Sequence, residues 1–272
     1  MRAAAIDHAE ALAWADSYSA APGAFAADAG LGHEWIGGAL VLRWAATGRR
    51  YFSRVVGLGV TRPATEAVLD AILDRYRALG IDMFLLQSLP QCRPAAYEDW
   101  LRDRGLRPFD AQDRVVRGGA PLVPGALSPS GRDGLAVERV TRATACEWAE
   151  FVQRVYRLDT GPWLERLIGR PGWHQYVARE CGAIVAARGM WIGAGGIAWL
   201  GMDGPVPGVM TRNYEPDAAL CAAIVADGLR RGARGFVADI EAPSDARDTP
   251  AYDYFGRLGF SRPYVRTHWA LA

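Results

Sequence analysis

The chain has 272 residues, half of them hydrophobic and 22% charged, with a formal net charge of +1. That length suits two domains of about 120–140 residues each, and near-neutrality excludes a surface built throughout to hold a polyanion while leaving room for a local basic patch. All 31 basic residues are arginine, which removes lysine nucleophiles, lysine bases and a phosphate-loop lysine.

Cys92, Cys146, Cys181 and Cys221 form no C-x-x-C pair, and His8, His33, His174 and His268 show no H-x-x-x-H spacing. Reduced thiols and no metal are therefore expected. The first residues, Met-Arg-Ala-Ala-Ala-Ile-Asp-His-Ala-Glu, carry acids where a signal peptide needs an apolar run. No apolar run approaches the roughly 18 residues of a membrane span. A cytoplasmic protein without membrane contact is expected, and oligomeric state has no signature.

In chain order, Ile6 to Ala20 reads as a helix and Ala39 to Ala45 and Tyr51 to Leu58 as strands. A helix follows, with Thr61 and Thr65 as candidate caps, Pro63 in the first turn, Val68, Leu69, Ile72, Leu73, Tyr76 and Leu79 on one face and Gly80 as its left-handed stop. Asp82 to Ser88 is an apolar run suited to a buried strand. Ala95 to Arg104 is a short helix ended by Gly105, and Ala111 to Val116 is a strand. The segment from Gly118 to Gly134 is rich in Gly, Pro and Ser, a linker composition. The expected division is residues 1–119, a linker at 120–134, and residues 135–272.

The second half reads as a strand at Val137 to Val140, a helix at Ala143 to Tyr156 and a further short helix at Trp163 to Ile168. His174 to Arg179 and Ala183 to Ala187 flank a tight hairpin at Glu180-Cys181-Gly182. Strands follow at Trp191 to Met202 and Gly208 to Thr211. Then come a helix from Asp217 to Arg231, a buried strand from Phe236 to Ile240, a short helix from Tyr252 to Leu258 and a last strand from Tyr264 to Leu271.

The two halves repeat one order: helix, glycine, apolar strand, loop, short helix, Gly-Leu or Gly-Phe, strand. Gly80 matches Gly232 and Gly105-Leu106 matches Gly259-Phe260, at offsets of 152 and 154. With Tyr51-Phe-Ser-Arg-Val-Val-Gly-Leu-Gly59, Tyr254-Phe-Gly-Arg-Leu-Gly-Phe260 and Tyr264-Val-Arg-Thr-His-Trp269, this grammar resembles the GNAT acyltransferase superfamily in its tandem form, over nearly the whole chain. The resemblance implies an α/β (α+β) fold: two GNAT-like domains, each a mixed, mostly antiparallel sheet flanked by helices. Its central strands would splay to admit an acyl donor from one side and an amine from the other.

The family's Arg/Gln-x-x-Gly-x-Gly/Ala loop, whose backbone N–H groups hold the coenzyme A diphosphate, is missing. In the second half the stretch reads Thr211-Arg-Asn-Tyr-Glu-Pro-Asp-Ala-Ala-Leu220, with no glycine. Glu215 and Asp217 place negative charge at the helix start, and Pro216 removes a donor. In the first half, Gly57 to Glu66 also departs from the pattern. Gly57-Leu-Gly59 lacks the third glycine of a dinucleotide fingerprint, Arg62 standing there.

The resemblance implies N-acyl transfer from a thioester to a small-molecule amine, in specialised metabolism, with acyl-CoA as co-substrate. Donors that need no phosphate loop, an aminoacyl-tRNA or a carrier-protein thioester, are the alternative; a non-catalytic binding or regulatory module is another. Candidate catalytic groups are Asp239 and Glu241 closing the buried strand, Tyr252 and Tyr254 on the short helix, and His268, titratable near neutrality, on the last strand. Candidate donor contacts are Met210, Thr211, Arg212 and Asn213 beyond the fourth strand. Arg230, Arg231 and Arg234 at the long helix's end either complement its dipole or meet a donor's phosphates.

Overall fold

The computed structural model describes residues 1–123, 134–205, 214–241 and 250–272. The elements are α1 (Ala3–Ser19), α2 (Gly23–Ala29), β1 (Leu31–Ile36), β2 (Ala39–Trp44), β3 (Arg54–Val56), α3 (Glu66–Ala78), β4 (Leu85–Ser88), α4 (Tyr97–Asp103) and β5 (Leu106–Gly118). They continue as β6 (Leu135–Arg139), α5 (Ala145–Tyr156), β7 (Trp173–Glu180), β8 (Ala183–Ile192), β9 (Ile197–Pro205), α6 (Glu215–Arg230), β10 (Gly235–Glu241), α7 (Pro250–Arg257) and β11 (Ser261–Leu271).

The chain forms two compact units: Met1–Arg114 together with Tyr264–Ala272, and Val115–Pro263. The chain passes from the first unit to the second within β5, ahead of the Gly/Pro linker at 120–134, and the end of the chain is counted with the first unit. Of that linker, residues 124–133 lie outside the described residues.

Strands of the first unit lie in the order β1-β2-β3-β4-β11-β5. The β1/β2, β2/β3 and β4/β11 pairs are antiparallel, and β3/β4 is parallel. The second unit has the order β10-β9-β8-β7-β6, with β10/β9 parallel and the other pairs antiparallel. Each is the mixed, mostly antiparallel sheet that the sequence implies.

Local chemistry explains most elements. Helix α3 starts where Thr65 Oγ1 accepts from the Val68 N–H at 3.2 Å, buries Leu69, Ile72 and Tyr76, and stops at Gly80, whose φ is +66°. Cys181 and Gly182 have φ of +48° and +84°, the two left-handed residues of a type I′ hairpin joining β7 to β8.

The structure adds elements and alters an expectation. β1 and α2 were not foreseen: Leu31-Gly-His-Glu-Trp-Ile has little alternation, and it becomes a strand by pairing along its whole length with β2. The strand expected at Tyr51 to Leu58 shrinks to Arg54–Val56, and Arg50–Phe52 forms a 3-10 turn. Side chains satisfy that backbone in place of a ladder: Tyr18 donates to the Phe52 carbonyl at 2.6 Å, and the Trp44 N–H donates to Ser53 Oγ at 3.0 Å. The expected Gly208 to Thr211 strand lies outside the described residues.

No described helix is long and apolar enough to cross a membrane.

Candidate functional site

In the second unit, β9 and β10 pair in parallel at Gly235↔Ile197, Phe236↔Ala198 and Val237↔Trp199. Pairing ends there, yet β9 runs on to Pro205 and β10 to Glu241. The two strands therefore diverge. The cause lies on the β8 side. β8 pairs Ala187 with Gly204 but Gly189 with Gly201, a one-residue register shift, and Met202 within it has φ +52°. A bulge bends its strand and raises the local twist, which leads β9 away from its parallel neighbour.

Alternation sets what each strand presents. Phe236, Ala238 and Ile240 of β10 and Ala198 and Leu200 of β9 enter the core with Leu220 and Ile224 of α6. Asp239, half-buried, and Glu241, exposed, therefore share the other face of β10.

Beside the opening, the first turn of α6 carries a buried cluster. Asp217 accepts from Arg188 Nη2 of β8 at 3.0 and 3.1 Å and from its Nε at 3.2 Å, and the Tyr254 hydroxyl of α7 donates to the same carboxylate. Asp217, Arg188 and Tyr254 are 4%, 3% and 2% exposed. Burial and then the Asp217 charge push the Tyr254 phenol well above its ordinary range. The Asp217 carboxylate thus turns inward and is neutralised, in place of the outward negative charge expected from the sequence. Pro216 stands in the first turn as read.

The other anticipated residues are distributed as follows. Tyr252 is half-buried, with the Arg262 guanidinium 4.1 Å above its ring. Arg230 and Arg231 bind Asp227 at 3.0 and 2.6 Å, and Arg234 donates to the Gly195 carbonyl at 3.1 Å. Arg230 ends α6 and Arg231 and Arg234 follow it; the helix has 16 residues, which places its end about 24 Å from its start. Met210, Thr211, Arg212 and Asn213 lie outside the described residues. His268 belongs to the first unit, whereas Asp239, Glu241, Tyr252 and Tyr254 belong to the second.

In the first unit the loop before α3 is closed by its own chain. The Arg93 N–H donates to the Gly59 carbonyl at 2.9 Å, and the Ala64 N–H donates to the Arg93 carbonyl at 2.7 Å. A Cβ on Gly59, whose φ is +79°, would fall 3.0 Å from the Arg93 oxygen. The Ala64 N–H is spent on the Arg93 carbonyl and the Val60 N–H on the Gly57 carbonyl, so these donors are not free for a diphosphate and this loop does not fit one.

The first unit also holds a buried polar layer absent from the sequence reading. Glu10 of α1 accepts from Arg114 of β5 and Arg266 of β11, with Arg54 of β3 4.0 Å away. Burial would raise the Glu10 carboxyl, but the three arginines outweigh it and hold it far below the usual range. Arg266 also donates to Gln87 Oε1 at 3.3 Å. That bond orients the Gln87 amide, so its Nε2, 3.1 Å from His268 Nε2, donates to the ring. His268 Nδ1 then donates to Asp110, whose other oxygen accepts from Tyr51. The imidazole is thereby neutral, its one lone pair filled; burial, the largest influence, lowers its pKa, against the pull of Asp110.

The signal that could have found this layer is charge at inward strand positions, Arg114 before Val115-Val116 and Arg266 between Tyr264 and His268. Among the described residues no cluster of three or more His, Cys, Asp or Glu could hold a metal.

No known protein family pattern matches the sequence, and no curated protein matches it either. Solved structures do match. A GCN5-related N-acetyltransferase from Kribbella flavida is 17% identical, with a TM-score of 0.62, covering 97% of this chain and 95% of that one. A tandem GNAT protein from the clavulanic acid biosynthesis pathway is 12% identical, with a TM-score of 0.54 and coverage of 86% and 78%. The C-terminal domain of a putative lysylphosphatidylglycerol synthetase from Agrobacterium fabrum is 13% identical, with a TM-score of 0.50 and coverage of 95% and 92%. Likeness at such identities speaks for the fold, and with the repeated units and the diverging parallel strands it is decisive there: the chain has the tandem GNAT fold.

Proposed function

We propose that the chain is an acyltransferase that moves an acyl group from a thioester to an amine at the opening between β9 and β10 of the second unit. The observation that supports this reading is the divergence after Trp199↔Val237, which opens the sheet beside a helix N-terminus. A thioester can enter there and meet an amine.

The chemistry asks for a proton acceptor. An amine near neutral pH is an ammonium ion and must lose a proton before its nitrogen attacks. We assign that role to Glu241, with Asp239 two residues behind it on the same face. The C–N bond forms as the C–S bond breaks; the departing thiolate takes a proton from Tyr252, and the surplus proton of the acylated nitrogen returns to the tyrosinate. Tyr254 has a different part: its hydroxyl is committed to Asp217 and fastens α7 to α6. Gln175 of β7 is a contact for the acceptor. It is 1% exposed, neither polar atom of its side-chain amide has a hydrogen-bond partner among the described residues, and it lies over Gly189, opposite Gly201 of β9. The tandem relative from a biosynthetic pathway favours a small-molecule amine of specialised metabolism.

Thiol release from acetyl-CoA with a panel of amines tests the reading. Glu241→Gln is expected to lower kcat by about 10²–10⁴ with unchanged melting temperature; full rate in that variant would remove Glu241 from the mechanism. The closed loop at Gly59 and Pro216 at the start of α6 favour a second donor, aminoacyl-tRNA or a carrier-protein thioester, and the synthetase-like neighbour points the same way. Absence of heat on titration with millimolar acetyl-CoA, together with a tRNA gel shift that weakens as salt rises, selects it.

A further inference from the structure

The first unit carries a surface that the reaction above does not use. Tyr51 and Phe109 are 40% and 48% exposed, and their ring centroids lie 6.4 Å apart at 61°. The Arg50 guanidinium stacks over Phe109 at 5.0 Å. Arg49 beside it is exposed. Among the described residues neither Arg49 nor Arg50 forms an ion pair, and Arg50 Nε is buried without a hydrogen-bond partner.

Exposed aromatic rings ordinarily move between rotamers. Tyr51 is held instead. Its hydroxyl binds Asp110, Asp110 binds His268, His268 accepts from Gln87, and Gln87 is oriented by Arg266. The Tyr51 ring also meets the His268 ring edge-on at 6.1 Å and 85°. A line of buried side chains thus fixes one ring at the surface, beside two cations that lack acids. Asp110, which holds the Tyr51 hydroxyl, has both oxygens occupied.

We propose that Arg50, Tyr51 and Phe109 form a docking platform for a nucleoside phosphate, with the base stacking on the rings and guanidinium and the phosphate meeting Arg49 and Arg50. Bases stack on aromatic faces and on arginine planes alike, and arginine matches phosphate geometry. Rigid rings lower the ordering cost of such a contact. The platform belongs to the first unit and the acyl-transfer opening to the second, and its test reads binding alone.

Two probes distinguish the sources of this chemistry: adenosine 3′,5′-bisphosphate, and a single-stranded adenosine octamer of RNA. Each is titrated into the full chain with fluorescence anisotropy or calorimetry as the readout. Saturable binding of either supports the proposal; tighter binding of the octamer assigns the platform to an RNA strand, and equal binding to a free nucleotide. Phe109→Ala and Tyr51→Ala are each expected to weaken binding by about tenfold or more. Arg50→Ala should weaken it and flatten its salt dependence. Tyr51→Phe keeps the ring and loses its tether, so it should fall between Tyr51→Ala and the parent. Both aromatic side chains are exposed, and circular dichroism should show these variants folded. No saturation by either probe at millimolar concentration overturns the proposal, and so does unchanged affinity in folded Phe109→Ala.

Discussion

Single residues decide the electrostatics of each unit. Asp217 shows how. Its carboxylate compensates the Arg188 charge inside the second unit, so removing it leaves a buried guanidinium without its counter-charge. Breaking such a pair costs about 3–5 kcal/mol. Asp217→Ala should therefore lower the urea midpoint sharply, while Arg188→Met with Asp217→Leu should recover much of the loss. A small effect of the single variant would show that Arg188 escapes to solvent. His268 is the second case. Its folded pKa lies below the ordinary 6.5, so on acidification the unfolded chain takes up the proton first. Stability is then full above about pH 6.5 and falls as pH drops below it. His174, lowered to about 4 by burial and then by Arg231 and Arg139, acts in the same sense, whereas Asp7, raised by burial, acts in the opposite one. Comparison of the parent with His268→Asn isolates the histidine: urea midpoints between about pH 7.5 and 5 should fall less steeply in the variant. Parallel curves would mean that His268 takes up its proton as readily in the fold as in the unfolded chain.

At the scale of elements, the helices were largely legible and the short strands were not. α3, α5 and α6 announce themselves by apolar faces and by stops at glycine or a cap. β1 and β3 depend on partners: one is a strand because β2 lies alongside it, the other is short because Tyr18 and Ser53 side chains take over the backbone. The candidate site follows the same division. Asp239, Glu241 and Tyr252 could be named from sequence, since a strand end and a short helix place them. Arg188 could not, because a lone arginine in a strand carries no pattern. Gly228 inside α6 makes the limit of local reasoning testable. By helix propensity, Gly228→Ala should stabilise by about 1 kcal/mol. A Cβ there would fall 2.5 Å from a ring atom of Phe236 and 3.0 Å from the Met190 sulfur, an overpacking that costs about 1–3 kcal/mol. The clash outweighs the propensity, so the variant should unfold at a lower temperature; a higher one would show that Phe236 can turn aside.

At the scale of the molecule, the end of the chain is part of the first unit. Tyr264 bonds to Asp7 at 3.0 Å, Arg266 and His268 complete the polar layer, and Trp269 donates to Ser88 Oγ at 2.9 Å from within the core. A chain stopped after Pro263 should therefore lose protection in the first unit, Met1–Arg114, by hydrogen exchange. Intact protection there would make β11 dispensable. By itself the sequence determined that one domain is repeated, which elements recur in order, and where the family's diphosphate loop is missing, because periodicity, turn glycines and prolines act within a few residues. Only the tertiary structure decided that the last strand counts with the first unit, that Asp217 faces Arg188 and Tyr254, and that Gln87 holds His268 neutral. Those outcomes join side chains far apart in the chain, through burial and hydrogen bonds that no local pattern encodes.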